Sequence, residues 1–224
     1  MSATLSPDLF KFLKDLAPNN NREWFTEHKP RYQEAHENFK AFAQAVQDAV
    51  SHHDEIERMR VHRIYRDVRF SKDKTPYKQH FSGGMTRATK WRRGSYYFHI
   101  QPGGSFVGGG FWGPNSDDMK RIRAEIAANP DEFRQIIQAP QFKKMLGELR
   151  GEQVKTAPKG YKKDHPAIDL LRYKQFLLTK SFTDKEVLAP DFVQKVDEVF
   201  RAMRPLLDYM SEVLTTDENG VPIA

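Results

Sequence analysis

Two patterns of apolar residues alternate along the chain, and the first of them has helical spacing. Its longest N-terminal run extends from Pro30 to about Ser51 and predicts a helix. The apolar positions of this run share one helical face: Tyr32, Phe39, Phe42, Val46 and Val50. Ser6-Pro7 and Asn19-Asn20-Asn21 are typical helix starts, so two shorter helices are expected before it. Residues 5–52 are therefore predicted to be helical.

Between about residues 60 and 112 the apolar residues recur at every second position, which is typical of strands. The clearest alternation lies in 96–101, where Tyr97, His99 and Gln101 share one face and three apolar residues share the other. Glycine-containing turn signals at 82–84 and 102–104 separate such segments. We predict an antiparallel β-meander whose strands lie at 60–66, 79–87, 94–101 and 105–112.

Helical spacing returns after residue 115. Prolines and capping residues divide this region into predicted helices, at about 117–128, 130–138, 140–149 and 190–214. Thr183-Asp184-Lys185-Glu186 fits a capping box, and Tyr173–Lys180 is a candidate strand within the helical region 116–214. The pattern predicts a single α+β domain over residues 1–224, in which N-terminal and C-terminal helices pack against the antiparallel meander.

Composition narrows the class of protein and excludes several kinds of site. The chain of 224 residues is 12% aromatic and has no cysteine. A folded interior is therefore expected, and disulfides, thiolate nucleophiles and cysteine-bound metals are excluded. The sequence has neither an apolar run long enough for a membrane span nor a basic leader followed by an apolar run. We expect a cytoplasmic protein without a membrane partner.

The positive charge of the chain is concentrated in one segment. Arg58–Phe81 contains eight Lys or Arg residues against Asp67 and Asp73, and its net charge of +6 equals that of the whole chain. A local excess of arginine is typical of a surface that faces an anion.

The same segment supplies the groups that bind phosphate or carboxylate oxygens. Arginine presents a fixed fork of donors, lysine adds a mobile charge, and a tyrosine hydroxyl donates one further hydrogen bond. We predict a site for a phosphorylated or carboxylated small molecule formed by Arg63, Arg66, Arg69, Lys74, Tyr77 and Lys78. Asp67 and His99 are the candidates for proton transfer if this site is catalytic.

Two features of the segment stay open. Asp67 and the arginines also fit an ion-pair network that only fixes the fold. As a strand, which its aromatic and β-branched residues favour, segment 63–70 places Arg63, Asp67 and Arg69 on one face. As a helical turn it would instead group Arg63, Arg66 and Asp67. We predict the strand.

The segment also resembles a known family signature. The pattern Arg63-x-x-Arg66-Asp67-x-Arg69-Phe70-x-x-Asp73-Lys74-x-x-Tyr77 is similar to that of the family called domain of unknown function 2461. Asn20-Asn21-x-x-Trp24-Phe25 and Pro158-x-Gly160-Tyr161-x-x-Asp164-His165-Pro166 resemble its other motifs, so the resemblance covers nearly the whole chain. It implies a protein of a family found in bacteria and some fungi, for which we expect a bacterial source, and it carries no activity, cofactor or catalytic residue.

Other motifs give weaker signals. Gly108–Gly113 fits the G-x-G-x-x-G pattern of dinucleotide-binding loops, but the βαβ alternation that such a loop requires is missing. We favour a glycine-rich strand that another backbone approaches closely. His165 follows a carboxylate in a predicted loop and is a further candidate. No histidine pair has H-E-x-x-H spacing, so no metal site is predicted, and the sequence identifies no cofactor.

Three functions remain as hypotheses, and enzyme activity is left open. The first is the anion site described above. The second is a module for single-stranded nucleic acid, with Trp91 stacking on a base. Its basic surface would comprise Arg58, Arg60, Lys72, Lys78, Arg87, Lys90, Arg92 and Arg93. The third is an interaction or structural protein whose Arg/Asp network stabilises the fold. The oligomeric state is not specified by the sequence.

Overall fold

Five strands form one antiparallel sheet whose spatial order follows the sequence, β1-β2-β3-β4-β5. A computed structural model describes residues 4–88, 90–217 and 219–223. The strands are β1 Ile56–Val61, β2 Phe81–Arg87, β3 Ser95–Ile100, β4 Ser105–Phe111 and β5 Phe176–Phe182. The predicted α+β class, an antiparallel meander with helices before and after it, is confirmed, and so is a strand overlapping 173–180.

In the described residues, helices begin within two residues of the prolines and caps that predict them. They are α1 Pro7–Leu16, α2 Arg22–Glu27, α3 Lys29–Val50, α4 Ser116–Ala128, α5 Pro130–Gln138, α6 Pro140–Leu146, α7 Ile168–Leu171, α8 Asp184–Val187 and α9 Phe192–Thr215. The Thr183 capping box is present. The helix predicted over 140–149 is shorter, because Gly147 ends it with a φ of +70°. The short helix α7 was not predicted.

The first predicted strand is displaced. A strand was expected at 60–66, but β1 ends at Val61, and beyond it only Tyr65 pairs, with Tyr77. β1 lies at the edge of the sheet and is largely exposed, so it carries charged residues such as Glu57 and Arg58 instead of an apolar alternation.

Contacts divide the chain into two units. Unit 1 comprises residues up to Met85, Tyr97–Val107 and Ser181–Glu198; unit 2 comprises Thr86–Tyr96, Gly108–Lys180 and the residues from Val199 onward. The predicted single domain over 1–224 is not tested by this division, and its limits at residues 1 and 224 lie outside the described ranges.

The core of unit 1 is aromatic. Phe39 and Phe42 on α3 lie against Phe98 of β3, with ring centroids 5.8 and 5.9 Å apart. This packing fixes the faces of β3, because residues of a strand alternate. Tyr97 and His99 therefore lie on the face of the sheet opposite α3.

The core of unit 2 joins the last strand to helices α5 and α9. Phe133 packs edge-on against Phe176 and Tyr209, at centroid distances of 6.0 and 5.6 Å. In the same unit, the side chain of Arg87, the last residue of β2, is completely buried and forms an ion pair with Asp208. These contacts join β5 to α5 and α9, and β2 to α9, within this unit.

Candidate functional site

Residues 62–80, between β1 and β2, form a paired excursion that we call the arm. Arg66 N donates to Pro76 O at 2.9 Å, and Lys78 N donates to Ile64 O at 2.8 Å. The pairing stops there, because Pro76 has no N–H to continue a ladder. The predicted strand over 63–70 is therefore wrong apart from the single bridge at Tyr65.

The N-terminal motif, Asn20-Asn21-x-x-Trp24-Phe25, anchors the arm. The side-chain amide of Asn20 donates to Tyr77 O at 2.9 Å and accepts from Tyr77 N at 3.1 Å, as a paired strand would. The Tyr77 ring is buried and stacks on Phe25 at 3.9 Å. Burial raises the pKa of Tyr77. Asn21, rather than Asn20, caps α2 by accepting from Trp24 N.

Both carboxylates of the arm are paired with arginines of the arm. Arg66 binds Asp73 and Thr75, and Arg69 makes two side-chain hydrogen bonds to Asp67, of 3.0 and 2.6 Å. The Thr75 amide and Arg66 lower the pKa of Asp73 to about 2, and Arg69 lowers that of Asp67.

Lys74 Nζ donates to Val68 O at 3.0 Å. Arg66, Arg69 and Lys74, which were predicted to converge on one anion, thus each have a partner within the arm. The arrangement has the form of the Arg/Asp network considered as the alternative, although it lies on an exposed arm.

Three other predicted residues lie on the outer sheet face or at the base of the arm. Lys78 Nζ donates to Arg63 O at 2.9 Å. The His99 ring is 4.0 Å from that of His80, and its Nδ1 lies 3.3 Å from Tyr97 Oη. Burial, and then Arg63 and Arg60, lower the pKa of Lys78. Burial also lowers the pKa of His99.

His80, which the sequence did not single out, has a strongly lowered pKa on this face. Burial and then the neighbouring His99, Lys78 and His62 lower its pKa to about 3. It is therefore neutral at pH 7, and the positive charge of this face comes from Lys78 and Arg63.

This shift predicts a loss of stability in acid. Below its ordinary pKa of 6.5, His80 takes up a proton in the unfolded chain but not in the folded one, so the free energy of unfolding falls as pH drops from 6.5 towards 3. After allowance for solvent screening, we expect a decrease of about 1–2 kcal/mol between pH 7 and 4.5. Urea unfolding of His80→Gln at both pH values should show a smaller decrease, whereas exposed His52→Gln should retain it. Equal decreases in all three proteins would contradict the assignment.

Unit 2 contains a cleft of about 900 Å³. Its lining combines aromatic and charged side chains, among them Trp112, Arg123, Glu152, Lys159, Tyr161 and Lys174. The Trp112 side chain follows the end of β4 and is 74% exposed. Gly113 and Pro114 then lead into α4, whose first amides are capped by Asn115 at 2.9 Å. The cleft therefore lies at the connection between the glycine-rich strand β4 and helix α4.

Arg123 is the most firmly held cation of the cleft. Its Nε donates to Leu171 O at 3.0 Å and its Nη2 to Tyr173 O at 3.1 Å. Among the described residues its Nη1 has no hydrogen-bond partner. Burial lowers the pKa of Arg123, and the neighbouring Tyr161 opposes this shift; an arginine nevertheless stays charged near neutral pH.

The motif Pro158-x-Gly160-Tyr161-x-x-Asp164-His165-Pro166 contributes to one wall of the cleft. Tyr161 N donates to Pro158 O at 3.2 Å, and Gly160 has a φ of +94°, a conformation that favours glycine. This turn brings Lys159, Gly160 and Tyr161 into the lining. His165, the other candidate of the motif, packs edge-on against Tyr161 at 6.0 Å.

The cleft has an excess of positive charge. Lys120, Arg123, Lys159 and Lys174 line it against a single carboxylate, that of Glu152, which pairs with Lys174 at 2.8 Å. Trp112 lies within the G-x-G-x-x-G pattern, and Gly160 and Tyr161 lie in a motif, so the sequence carried a signal for these three residues. It gave none for Arg123 or Lys174, which resemble ordinary surface cations until the chain is folded.

Two expectations about unit 2 are changed by the structure. Arg87 was assigned to a basic surface, but its side chain is buried and ion-paired, so this assignment is wrong. Arg93 is half-buried and pairs with Asp118 at 2.6 Å. The favoured interpretation of the glycine run is supported, since a Cβ on Gly108 would lie 2.8 Å from Leu178 O and one on Gly110 would lie 2.0 Å from Phe176 O.

Comparison with known proteins identifies a family without an activity. The family model described as "Conserved hypothetical protein (DUF2461)" matches residues 8–209. No curated protein and no solved structure matches the sequence. In the described part of the chain, no helix is long and apolar enough to cross a membrane. The same residues contain no group of three or more His, Asp or Glu side chains arranged to hold a metal ion.

Proposed function

The chain belongs to the DUF2461 family of conserved hypothetical proteins, and we propose that it binds a phosphorylated or carboxylated small molecule in the cleft of unit 2. The observation that carries this proposal is the Arg123 guanidinium, which is held by two backbone carbonyls while its Nη1 stays unpaired among the described residues. A donor fixed in this way loses little side-chain freedom when an anion binds.

The other lining residues supply the remaining contacts. Lys159 and Lys120 add positive charge on flexible stems, and the Tyr161 hydroxyl is a further donor. Exposed Trp112 provides a flat apolar face for a ring or chain of the ligand. The volume of about 900 Å³ suits a small molecule rather than a single inorganic ion.

The proposal concerns binding. Glu152 is the only carboxylate among the residues that line the cleft, and it is paired with Lys174, so we assign no proton transfer there. Phosphorylated and carboxylated metabolites are typical cytoplasmic ligands, and we propose the cytoplasm as the place of action. The sites predicted at Arg63–Lys78, Asp67 and His99 stay predictions and are not part of this proposal.

Trp112 allows a direct test by intrinsic fluorescence. We expect titration with phosphorylated and carboxylated probes, including inorganic phosphate, citrate and adenosine monophosphate, to change the emission saturably with at least one probe that combines an anion and a ring. The change should persist in Trp91→Phe and disappear in Trp112→Phe, because only Trp112 lines the cleft.

Affinity then tests the charge of the site. Lys159→Ala should weaken binding about threefold to tenfold, since one charge-assisted hydrogen bond is lost. Lys163→Ala is the matched control, because Lys163 is an exposed lysine of the same loop outside the cleft. No response to any probe, or equal weakening in both lysine variants, would refute the proposal.

A further inference from the structure

The arm carries an aromatic side chain that is almost fully exposed to solvent. Phe70 is 97% exposed, and Tyr65, lower on the same arm, is 46% exposed. Single exposed apolar residues are common, but a ring as exposed as that of Phe70, at the end of an excursion that also carries cations, is a contact surface. This surface lies within unit 1, and neither of its aromatic residues lines the cleft of unit 2.

The arm is braced from the inside. Arg66 binds Asp73 and Thr75, and so links the outgoing and returning chain below Phe70. Ser71 N donates to Val68 O at 3.3 Å, and Lys74 Nζ donates to the same carbonyl at 3.0 Å. The base is fixed by the two hydrogen bonds between Asn20 and Tyr77. Phe70 is therefore presented by a loop with little freedom left to lose on binding.

The remaining charge of the arm is positive. Both carboxylates are used within it, Asp67 by Arg69 and Asp73 by Arg66. Arg63 and Lys72, which are exposed, form no ion pair with any described residue. A partner of the arm must therefore offer a flat face to Phe70 and negative charge to the exposed cations of the same arm.

We propose that the arm binds single-stranded nucleic acid, with Phe70 stacking on a base while Arg63 and Lys72 contact neighbouring phosphates. Unpaired bases offer the flat face, and every nucleotide brings one phosphate, so the alternation of aromatic and cationic groups matches the ligand. A duplex hides its base faces and leaves Phe70 without a partner. An acidic membrane offers charge, but the exposed carboxylates Asp67 and Asp73 stand within three residues of Phe70 in the sequence and do not suit insertion into it.

Fluorescence anisotropy with a labelled 12-nucleotide single strand tests this proposal on the full chain. We expect binding at 50 mM salt that weakens steeply by 200 mM, because phosphate contacts release counterions. Phe70→Ala should weaken binding about fivefold to a hundredfold, the range for loss of one base–aromatic stack, while Phe70→Trp should retain it. Lys72→Ala should lower the slope of log affinity against log salt by about 0.7.

The controls separate this proposal from the cleft and from misfolding. Trp112→Ala should leave binding to the single strand unchanged, and Lys11→Ala, an exposed lysine of α1, should change it less than Lys72→Ala does. Thermal unfolding of Phe70→Ala should match that of the parent protein, since the ring is exposed. Four outcomes would each overturn the proposal: no binding at 50 mM salt, equal affinity of Phe70→Ala and the parent, tighter binding to a duplex, and tighter binding to phosphatidylserine vesicles.

Discussion

Gly110→Ala is expected to lower the free energy of unfolding by about 3–5 kcal/mol. Gly110 has a φ of +123°, which side-chain-bearing residues rarely adopt. A Cβ built there would lie 2.0 Å from Phe176 O, so β5 would have to move away from β4. Urea unfolding measures the loss. Its size would establish that the glycine run serves the contact between two strands rather than a phosphate-binding loop.

Gly113→Ala is the matched control for this measurement. Gly113 lies three residues further on, has no positive φ, and a Cβ there would meet no atom within 4 Å. We expect its effect to stay within about 0.5 kcal/mol. If Gly110→Ala were as stable as Gly113→Ala, the close approach of β5 would not be what requires glycine.

Arg87→Ala is the second substitution with a large expected effect, a loss of about 3–5 kcal/mol. The Arg87 side chain is 0% exposed and forms an ion pair with Asp208. Its Nη1 donates to Arg93 O at 3.1 Å and to Ser211 Oγ at 3.2 Å. Alanine would leave a cavity and remove the ion pair and both of these hydrogen bonds at once. Chemical denaturation of the purified variant gives the value.

A second substitution at the same site separates volume from charge. Arg87→Met fills most of the space without the buried charge, and replacing buried ions by apolar side chains is often tolerated. It should therefore be clearly more stable than Arg87→Ala. Lys120→Ala removes an exposed cation paired with Asp117 and should cost at most about 0.5 kcal/mol. A loss below 1 kcal/mol for Arg87→Ala would show that the buried pair contributes little.

Local signals explain why most elements could be predicted. Pro130 and Pro140 occupy first helical positions, and Thr183 with Glu186 forms a capping box, so the helix starts are fixed by neighbours in sequence. The alternation in β3 could also be recognised from neighbouring residues, since every second side chain is apolar and packs on α3. Where short-range chemistry decides the structure, the sequence alone was sufficient.

The prediction of the first strand was wrong because the residues that determine where it ends are distant in the sequence. Ile64, Tyr65 and Val68 have strand propensity, which favoured the predicted strand over 63–70. Pro76 on the returning chain ends the pairing, and the edge position of β1 removes the apolar pattern that would have marked it. The strand propensity of these residues did not decide the structure, because the residue opposite them on the returning chain is Pro76.

The candidate sites show the same limit. Ion pairing within the arm could be anticipated, since Asp67 and Asp73 alternate with the arginines that bind them. The cleft could not, because Arg123 and Lys174 meet only after α4, α7 and β5 have packed. The link between Asn20 and Tyr77 spans 57 residues and gave no pairwise signal, although both lie in sequence motifs.

Mapping a bound anion by amide chemical shifts decides where this protein holds its ligand. With the best probe from the fluorescence titration, or with inorganic phosphate and citrate if none saturates, we expect the largest shifts in the cleft, at Trp112, Gly113, Arg123, Gly160, Tyr161 and Lys174. The amides of Arg63, Lys78 and His99 should shift little. Shifts concentrated on those three residues, or none anywhere at saturating probe, would contradict a ligand site in unit 2.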